Sequence, residues 1–153
     1  LADIDGDPLA LDGTIYVAAY QGDIAALGEH SGSFLWRRQF SSYSGIATDS
    51  RNLYASDAEG SVWALDTQTG APRWRQNAFK NRQLSDVVAL DHVIAVGDLE
   101  GYVHFLAKRD GKQIGRTRVG RAPITKGLAT VAGILFVQGD GGELQALRVS
   151  SNY

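Results

Sequence analysis

The chain has 153 residues, 44% of them hydrophobic, a formal net charge of −2 and no cysteine. That length and apolar content suffice for one sizeable core, and the near-neutral charge excludes a general nucleic-acid binder. The missing cysteine excludes a disulfide framework, a thiolate metal site and a cysteine nucleophile.

No apolar run approaches the ~18 residues of a membrane-spanning helix, and the opening LADIDGDP is not a signal peptide. Any targeting segment or lipid anchor is therefore expected ahead of residue 1. Charge is distributed unevenly: residues 1–66 hold ten acidic and three basic side chains, residues 67–153 seven acidic and twelve basic. Such a split describes either two differently solvated surfaces or ends suited to partners of opposite sign.

In chain order, DPLAL (7–11) and TIYVA (14–18) read as two short strands around an Asp-Gly corner. Gly22 follows, and after it Ile24 and Ala26 alternate with polar or variable positions up to Leu27. The turn GEHSG closes on Gly32 and leads into FLWRR, which carries Trp36. The phrase then returns. SGIAT (44–48) and NLYAS (52–56) precede Gly60, Val62, Ala64 and Leu65; the turn DTQTG closes on Gly70, and PRWRQ carries Trp74.

DVVAL (86–90) and VIAVG (93–97) precede Gly101, Val103, Phe105 and Leu106; AKRDG closes on Gly111, and QIGRT has Gly115 where a Trp is due. The last copy runs through KGLAT (126–130), ILFVQ (134–138), Gly142, Leu144, Ala146 and Leu147, and then lacks both the turn and the Trp.

The anchor glycines Gly22, Gly60, Gly101 and Gly142 are spaced 38, 41 and 41 residues apart. Four antiparallel strands in about 40 residues is the size of a propeller blade, and each repeat can bury its apolar face only against the next. A β-sandwich also has short strands at regular spacing, but it has no reason to demand the same turn and the same apolar positions four times. The expected fold is all-β: a propeller of PQQ-like four-stranded blades over approximately 8–40, 44–78, 85–118 and 124–150. The second and fourth positions after each anchor glycine read as the committed core face, and the first and third as free.

Trp36 and Trp74 are expected to cover the neighbouring blade, and the Gly115 blade to pack more loosely at its rim. The last copy lacks an outer strand, which leaves an edge that propellers ordinarily close. This points to further blades ahead of residue 1, although a compact four-bladed ring or two chains completing one ring also fit the repeat.

The phrase G-x-(I/V)-x-A-L-x-x-x-(S/T)-G-x-x-x-W resembles the repeat of pyrroloquinoline-quinone dehydrogenases and their non-enzymatic relatives. DIDGDP (3–8), VAAYQGDIAAL (17–27), RQLSD (82–86) and VGDLEGYVHFL (96–106) together look like the BamB family of lipoprotein propellers, in the C-terminal half of an eight-bladed ring. The resemblance implies a periplasmic, non-enzymatic scaffold without a cofactor. Its full form would be lipid-anchored at the outer membrane, docked on POTRA domains of the barrel-insertion protein, and engaged in delivery of unfolded outer-membrane proteins. The family's Asp-x-Asp-x-x-Pro contact segment corresponds here to Asp3, Asp5 and Pro8; two carboxylates on an exposed loop suit a partner's arginine or lysine.

Other chemistry is weaker. Asp3, Asp5 and Asp7 begin like a calcium loop, but Pro8 and Thr14 stand where that loop needs Gly and Glu. His30, His92 and His104 have no partner at metal spacing, and no nucleophile elbow or phosphate fingerprint is present. A quinoprotein dehydrogenase fragment is the enzymatic alternative, and a generic protein-binding propeller the other. The basic segment Lys108, Arg109, Lys112, Arg116, Arg118, Arg121 and Lys126 reads as a solvated face, or as a second contact with protein or anionic lipid. It has no aromatic platform for single-stranded nucleic acid. Capture of unfolded strands at an open blade edge is a further possibility, with no edge marked for it.

Overall fold

A computed structural model describes residues 6–19, 22–41 and 45–150. Every regular element among them is a strand, and the strands fall into four antiparallel sheets.

Sheet I contains β1 (Leu9–Leu11), β2 (Thr14–Ala18), β3 (Asp23–Gly28) and β4 (Phe34–Gln39), hydrogen-bonded in that order. Sheet II repeats the order with β5 (Ala47–Thr48), β6 (Asn52–Ser56), β7 (Val62–Asp66) and β8 (Pro72–Gln76). Sheet III has β9 (Val87–Ala89), β10 (Val93–Gly97), β11 (Tyr102–Ala107) and β12 (Gln113–Arg118). Sheet IV has three strands, β13 (Leu128–Val131), β14 (Ile134–Gln138) and β15 (Leu144–Arg148).

The repeat extends to local irregularities. The pairing of third and fourth strands shifts register between Ala26 and Leu27, between Ala64 and Leu65, and between Phe105 and Leu106. Each shift inserts one extra residue into the outer strand and increases its twist, so successive sheets can splay outward at the rim.

Both faces of the inner sheets are buried, which corrects the expectation of a single committed face. Tyr16, Ala18, Ile24, Ala26 and Trp36 of sheet I pack on Leu53, Ala55 and Leu65 of sheet II. The opposite face of sheet II, with Tyr54, Val62 and Ala64, packs on Val87, Ile94, Val96 and Leu106 of sheet III. Ala95 and Val103 of sheet III then meet Leu135 and Val137 of sheet IV. Because side chains alternate across a strand, one set of positions serves the preceding sheet and the other set the following one. The third position after the anchor glycine is accordingly enclosed as Ala25 and His104 and half-buried as Trp63.

The outer-strand tryptophans join neighbouring sheets as expected. Trp36 Nε1 donates to the Thr67 carbonyl at 2.8 Å, and Trp74 Nε1 donates to the Lys108 carbonyl at 2.7 Å. Each thus reaches from its own sheet to the turn of the next. In sheet III the volumes are exchanged: Ala95, Phe105 and Gly115 stand where sheet II has Tyr54, Ala64 and Trp74, and Phe105 packs into the third core. A groove of about 290 Å³ beside Phe105, Gly115, Leu147 and Val149 remains at that rim.

Candidate partner-docking surface

The proposed contact segment enters sheet I at its innermost strand. Asp3 and Asp5 lie outside the described residues, whereas Asp7 and Pro8 are exposed immediately before β1. A Cβ placed on Gly6 would stand 3.5 Å from Gly45 Cα, so Gly6 lies beside the connection between sheets I and II. Gly45 N in turn donates to Asp86 Oδ1 at 2.6 Å, in the loop leading into β9. The entries to three successive innermost strands are thereby linked side by side, and Gly6 and Asp7 sit at one end of that row.

Three anchor glycines, Gly22, Gly60 and Gly101, hold their hairpin turns close to the chain leaving the sheet. Gly60 and Gly101 have φ of +86° and +82°, and a Cβ at either would stand 2.2 Å from the Phe79 carbonyl oxygen or 2.4 Å from that of Gly120. Gly22 is bonded through its own carbonyl to Phe40 N at 2.9 Å, and Gly142 N donates to Gly139 O at 2.9 Å. Gly32, Gly70 and Gly111 close the outer turns with φ of +65°, +72° and +71°.

The sequence reading missed a second recurring device. Asp57 Oδ1 accepts the backbone N–H groups of Glu59 and Ser61 at 3.1 and 2.7 Å, while its Oδ2 accepts the Trp63 indole N–H at 2.7 Å. Asp98 does the same 41 residues later, with Glu100 N at 2.9 Å, Tyr102 N at 3.0 Å and His104 Nε2 at 2.7 Å. The signal was present as D-x-x-G followed by an N–H-bearing ring six residues after the Asp, in DAEGSVW and DLEGYVH.

Asp98 and His104 are 0% and 1% exposed, and Gln113 Nε2 meets His104 Nδ1 at 3.0 Å. Arg82 Nη1 donates to Asp98 Oδ2 at 2.8 Å and to Glu100 Oε2 at 3.2 Å, and the Phe79 ring lies 4.7 Å from that of His104. Burial alone would raise the Asp98 pKa; hydrogen bonds from His104, the Tyr102 N–H and Arg82 instead hold it at about 2. An Asp–His pair suggests a catalytic dyad, but every polar atom of this one is engaged and neither side chain reaches a cleft. It joins the turn of sheet III to its strands, as Asp57 and Trp63 do in sheet II.

His92 is exposed and bridges Asp91 at 3.0 Å, and His30 is exposed in the first turn, far in sequence from any histidine partner. A cleft of about 920 Å³ opens at the hairpin ends of sheets II and III and is lined by Asp49, Tyr54, Trp74, Leu90 and Lys108 among others. Tyr54 OH donates to Asp49 Oδ2 at 2.8 Å, and Lys108 Nζ bridges the same oxygen at 3.3 Å. Burial opposes the Asp49 charge, but the Arg51 and Asn52 N–H groups and Tyr54 hold its pKa below the usual carboxylate range. Burial pushes the Tyr54 phenol up. Lys108 thus belongs to this cluster and not to an open basic face. Arg116 and Arg118 flank the Tyr102 ring at 5.0 and 5.1 Å, and Arg118 Nε also donates to the Gly120 carbonyl at 2.9 Å.

Repeated antiparallel sheets stacked face to face, with their first strands neighbouring one another, define a β-propeller of PQQ-like repeats. A family model described as "Outer membrane protein assembly factor BamB" matches residues 1–76. The protein of that name from Pseudomonas aeruginosa is 42% identical over 149 residues, covering 97% of this chain and 39% of the relative. The crystal structure of BamB from Moraxella catarrhalis superposes with a TM-score of 0.89 at 29% identity, over 96% of this chain and 44% of that one. The chain is similar to the BamB family along nearly all of its length, and it spans about two-fifths of the length of the curated relatives it matches.

The computationally designed Ika4 protein shares the fold at 11% identity, with a TM-score of 0.83 over 97% of this chain and 92% of that one. Quinohemoprotein alcohol dehydrogenase from Comamonas testosteroni shares it at 20% identity and a TM-score of 0.65. Both are likenesses of fold alone.

Proposed function

We propose that this chain is half of an eight-bladed, non-enzymatic scaffold that serves outer-membrane protein assembly. It would work at the periplasmic face of the outer membrane, docked on a POTRA domain of the barrel-insertion protein and assisting delivery of unfolded outer-membrane proteins. Membrane attachment would come from a lipid anchor outside residues 1–153, and no cofactor takes part. The observation that carries this reading is similarity to a named assembly factor along 97% of the chain. Exposure of Asp7 and Pro8 at the entrance to β1 supports a contact there, and so does the acidic bias of residues 1–66.

In the contact we envisage, Asp3 and Asp5 present carboxylates to a basic side chain of the POTRA domain, and Pro8 limits the freedom of the segment that carries them. Long-range attraction from the acidic half raises the encounter rate more than the final affinity. The buried Asp98–His104 pair is used up within the sheet, so it lends no support to an enzyme.

Replacing Asp3 and Asp5 by Ala in the full-length protein tests the contact, with POTRA affinity and melting temperature measured together. Loss of binding at an unchanged melting temperature is the expected result, and unchanged affinity refutes the assignment. A quinone absorbance band with calcium-dependent dehydrogenase activity in the purified protein would overturn the scaffold reading altogether.

A further inference from the structure

The outer strands repeat an arginine whose counter-group changes from sheet to sheet. Arg37, Arg75 and Arg116 each pair with the third position after the anchor glycine, and each meets the side chain at the first position, which is Asp23, Ser61 or Tyr102. Arg37 is bonded to the Asp23 carboxylate, and Arg75 to the Ser61 hydroxyl at 2.9 Å. Arg116 instead lies over the Tyr102 ring at 5.0 Å, and Arg118 over the same ring at 5.1 Å. Arg118 Nε donates to the backbone carbonyls of Glu100 and Gly120, so neither guanidinium meets a carboxylate among the described residues. Both side chains are exposed, and Tyr102 is half-buried between the strands that carry them.

The loop leading from sheet II to sheet III adds to this surface. Asn81 and Gln83 are both left-handed, at φ of +64° and +48°, and they flank Arg82, whose guanidinium is fixed by Asp98 and Glu100. Backbone strain of this kind persists only where surrounding contacts over-determine it. Here the Arg82 carbonyl also accepts the Leu99 N–H at 2.9 Å, which clamps the loop onto the hairpin tip of sheet III. Lys80 is exposed on the loop, and Leu99 is 37% exposed at the tip. Of the nearby acids, Asp98 and Glu100 bond Arg82, and Glu143 lies against Gly120. The charge left over is positive: Lys80, Arg116, Arg118 and Arg121 against Glu143.

We infer that this rim of sheet III rests on a membrane surface containing anionic phospholipid. A guanidinium matches phosphate oxygens two at a time, and a tyrosine ring suits the depth of the headgroups, where one end is apolar and the other wet. Leu99 offers an apolar side chain among the cations, the combination that holds proteins at a bilayer interface. None of these residues lines either cleft described above. They form an outward strip on an edge strand, its neighbour and two connections, a shape that fits an array of headgroups better than a ligand needing enclosure. The contact rests on the proposed place at the outer membrane and not on POTRA docking, which uses Asp3 and Asp5.

The test is co-sedimentation of residues 1–153 with vesicles of phosphatidylcholine alone and with vesicles of about one-third phosphatidylglycerol. Binding is expected to the mixed vesicles only, and it should weaken as salt is raised. Near an anionic surface each Lys or Arg is worth roughly fivefold in affinity, so Arg116→Gln and Lys80→Gln should each weaken binding by about that factor. Both side chains are exposed, so the melting temperature should stay that of the parent. Arg37→Gln is the control: its guanidinium is bonded to Asp23, and binding should change by less than about twofold.

Equal binding to both kinds of vesicle, binding to neither, or an Arg116→Gln variant that binds like the parent overturns the inference. Binding of polyglutamate through Arg116, without binding of vesicles, assigns the strip to an acidic protein segment and overturns the membrane contact as well. Each of these results leaves the docking proposal standing, because docking is measured as POTRA affinity of the full-length protein.

Discussion

Trp36 lies on Gly70 of the next sheet: a Cβ at Gly70 would stand 2.5 Å from Trp36 Cε3, and the indole N–H bonds the Thr67 carbonyl three residues earlier. Trp74 repeats the arrangement on Gly111, where a Cβ would stand 2.4 Å from its Cε3. Each turn glycine therefore answers two demands, a left-handed backbone and a seat for the preceding sheet's indole. Gly32 answers only the first, since a Cβ there would find nothing within 4 Å.

Those demands separate experimentally. Gly32→Ala should cost ~1 kcal/mol, the usual penalty of a left-handed non-glycine residue. Gly70→Ala and Gly111→Ala should cost ~2–4 kcal/mol, because crowding against an indole adds to that penalty. In a Trp36→Ala background the Gly70→Ala cost should fall back to about that of Gly32→Ala. Urea unfolding measures all four, and equal costs at Gly32 and Gly70 in the parent chain would refute the seat.

Sheet III invites the opposite substitution. Gly115 is not held at positive φ, and a Cβ there meets nothing within 4 Å. Gly115→Ala should therefore stabilise the chain by ~0.5–1 kcal/mol through the unfolded state. Phe105→Ala should cost ~3 kcal/mol, because this ring fills volume that Tyr54 and Trp74 fill in sheet II. Thermal unfolding of both variants checks the exchange, and a negligible Phe105→Ala effect would show that the third core does not depend on the ring.

The hairpins were legible from glycine spacing and apolar alternation: TIYVA, NLYAS, VIAVG and ILFVQ coincide with β2, β6, β10 and β14. Which faces are buried was not legible. An alternation of apolar and polar letters reads as one wet face, yet His104 and Ser56 are enclosed because their polar atoms have partners elsewhere in the chain. Asp57 and Asp98 passed as ordinary turn residues for the same reason, since their third bond goes to a ring six residues on. Phe105 and Gly115 trade volume between paired strands, which no single-strand pattern displays. Of the three docking residues, only Pro8 falls within the described residues, so Asp3 and Asp5 rest on the resemblance.

Asp57 offers a direct test of the turn device. Asp57→Ala removes the acceptor of two backbone N–H groups and of the Trp63 indole, and should cost ~2–3 kcal/mol. Asp57→Asn retains an acceptor at one oxygen and should recover part of that loss. Trp63 fluorescence reports the indole bond, and an unshifted emission maximum in Asp57→Ala would argue against it.

The Asp98 carboxylate makes a prediction whose sign is fixed by its partners. Its pKa is held at about 2 in the folded chain, below the ordinary 3.8. A carboxylate shifted in this direction contributes stability above its unfolded pKa and loses that contribution as pH falls through the folded value; here the loss lies between about pH 4 and pH 2, and it amounts to about 2 kcal/mol. At pH 7 Asp98→Asn should cost ~2–4 kcal/mol, since it leaves Arg82 without its buried counter-charge and weakens the bond to His104. Other carboxylates titrate over the same range in both proteins, so the quantity to follow is the difference in unfolding free energy between parent and variant. Below about pH 4 it should shrink by about 2 kcal/mol toward pH 2. A difference that stays constant to pH 2 would mean that Asp98 is not held ionised by His104, Tyr102 and Arg82 in the folded chain.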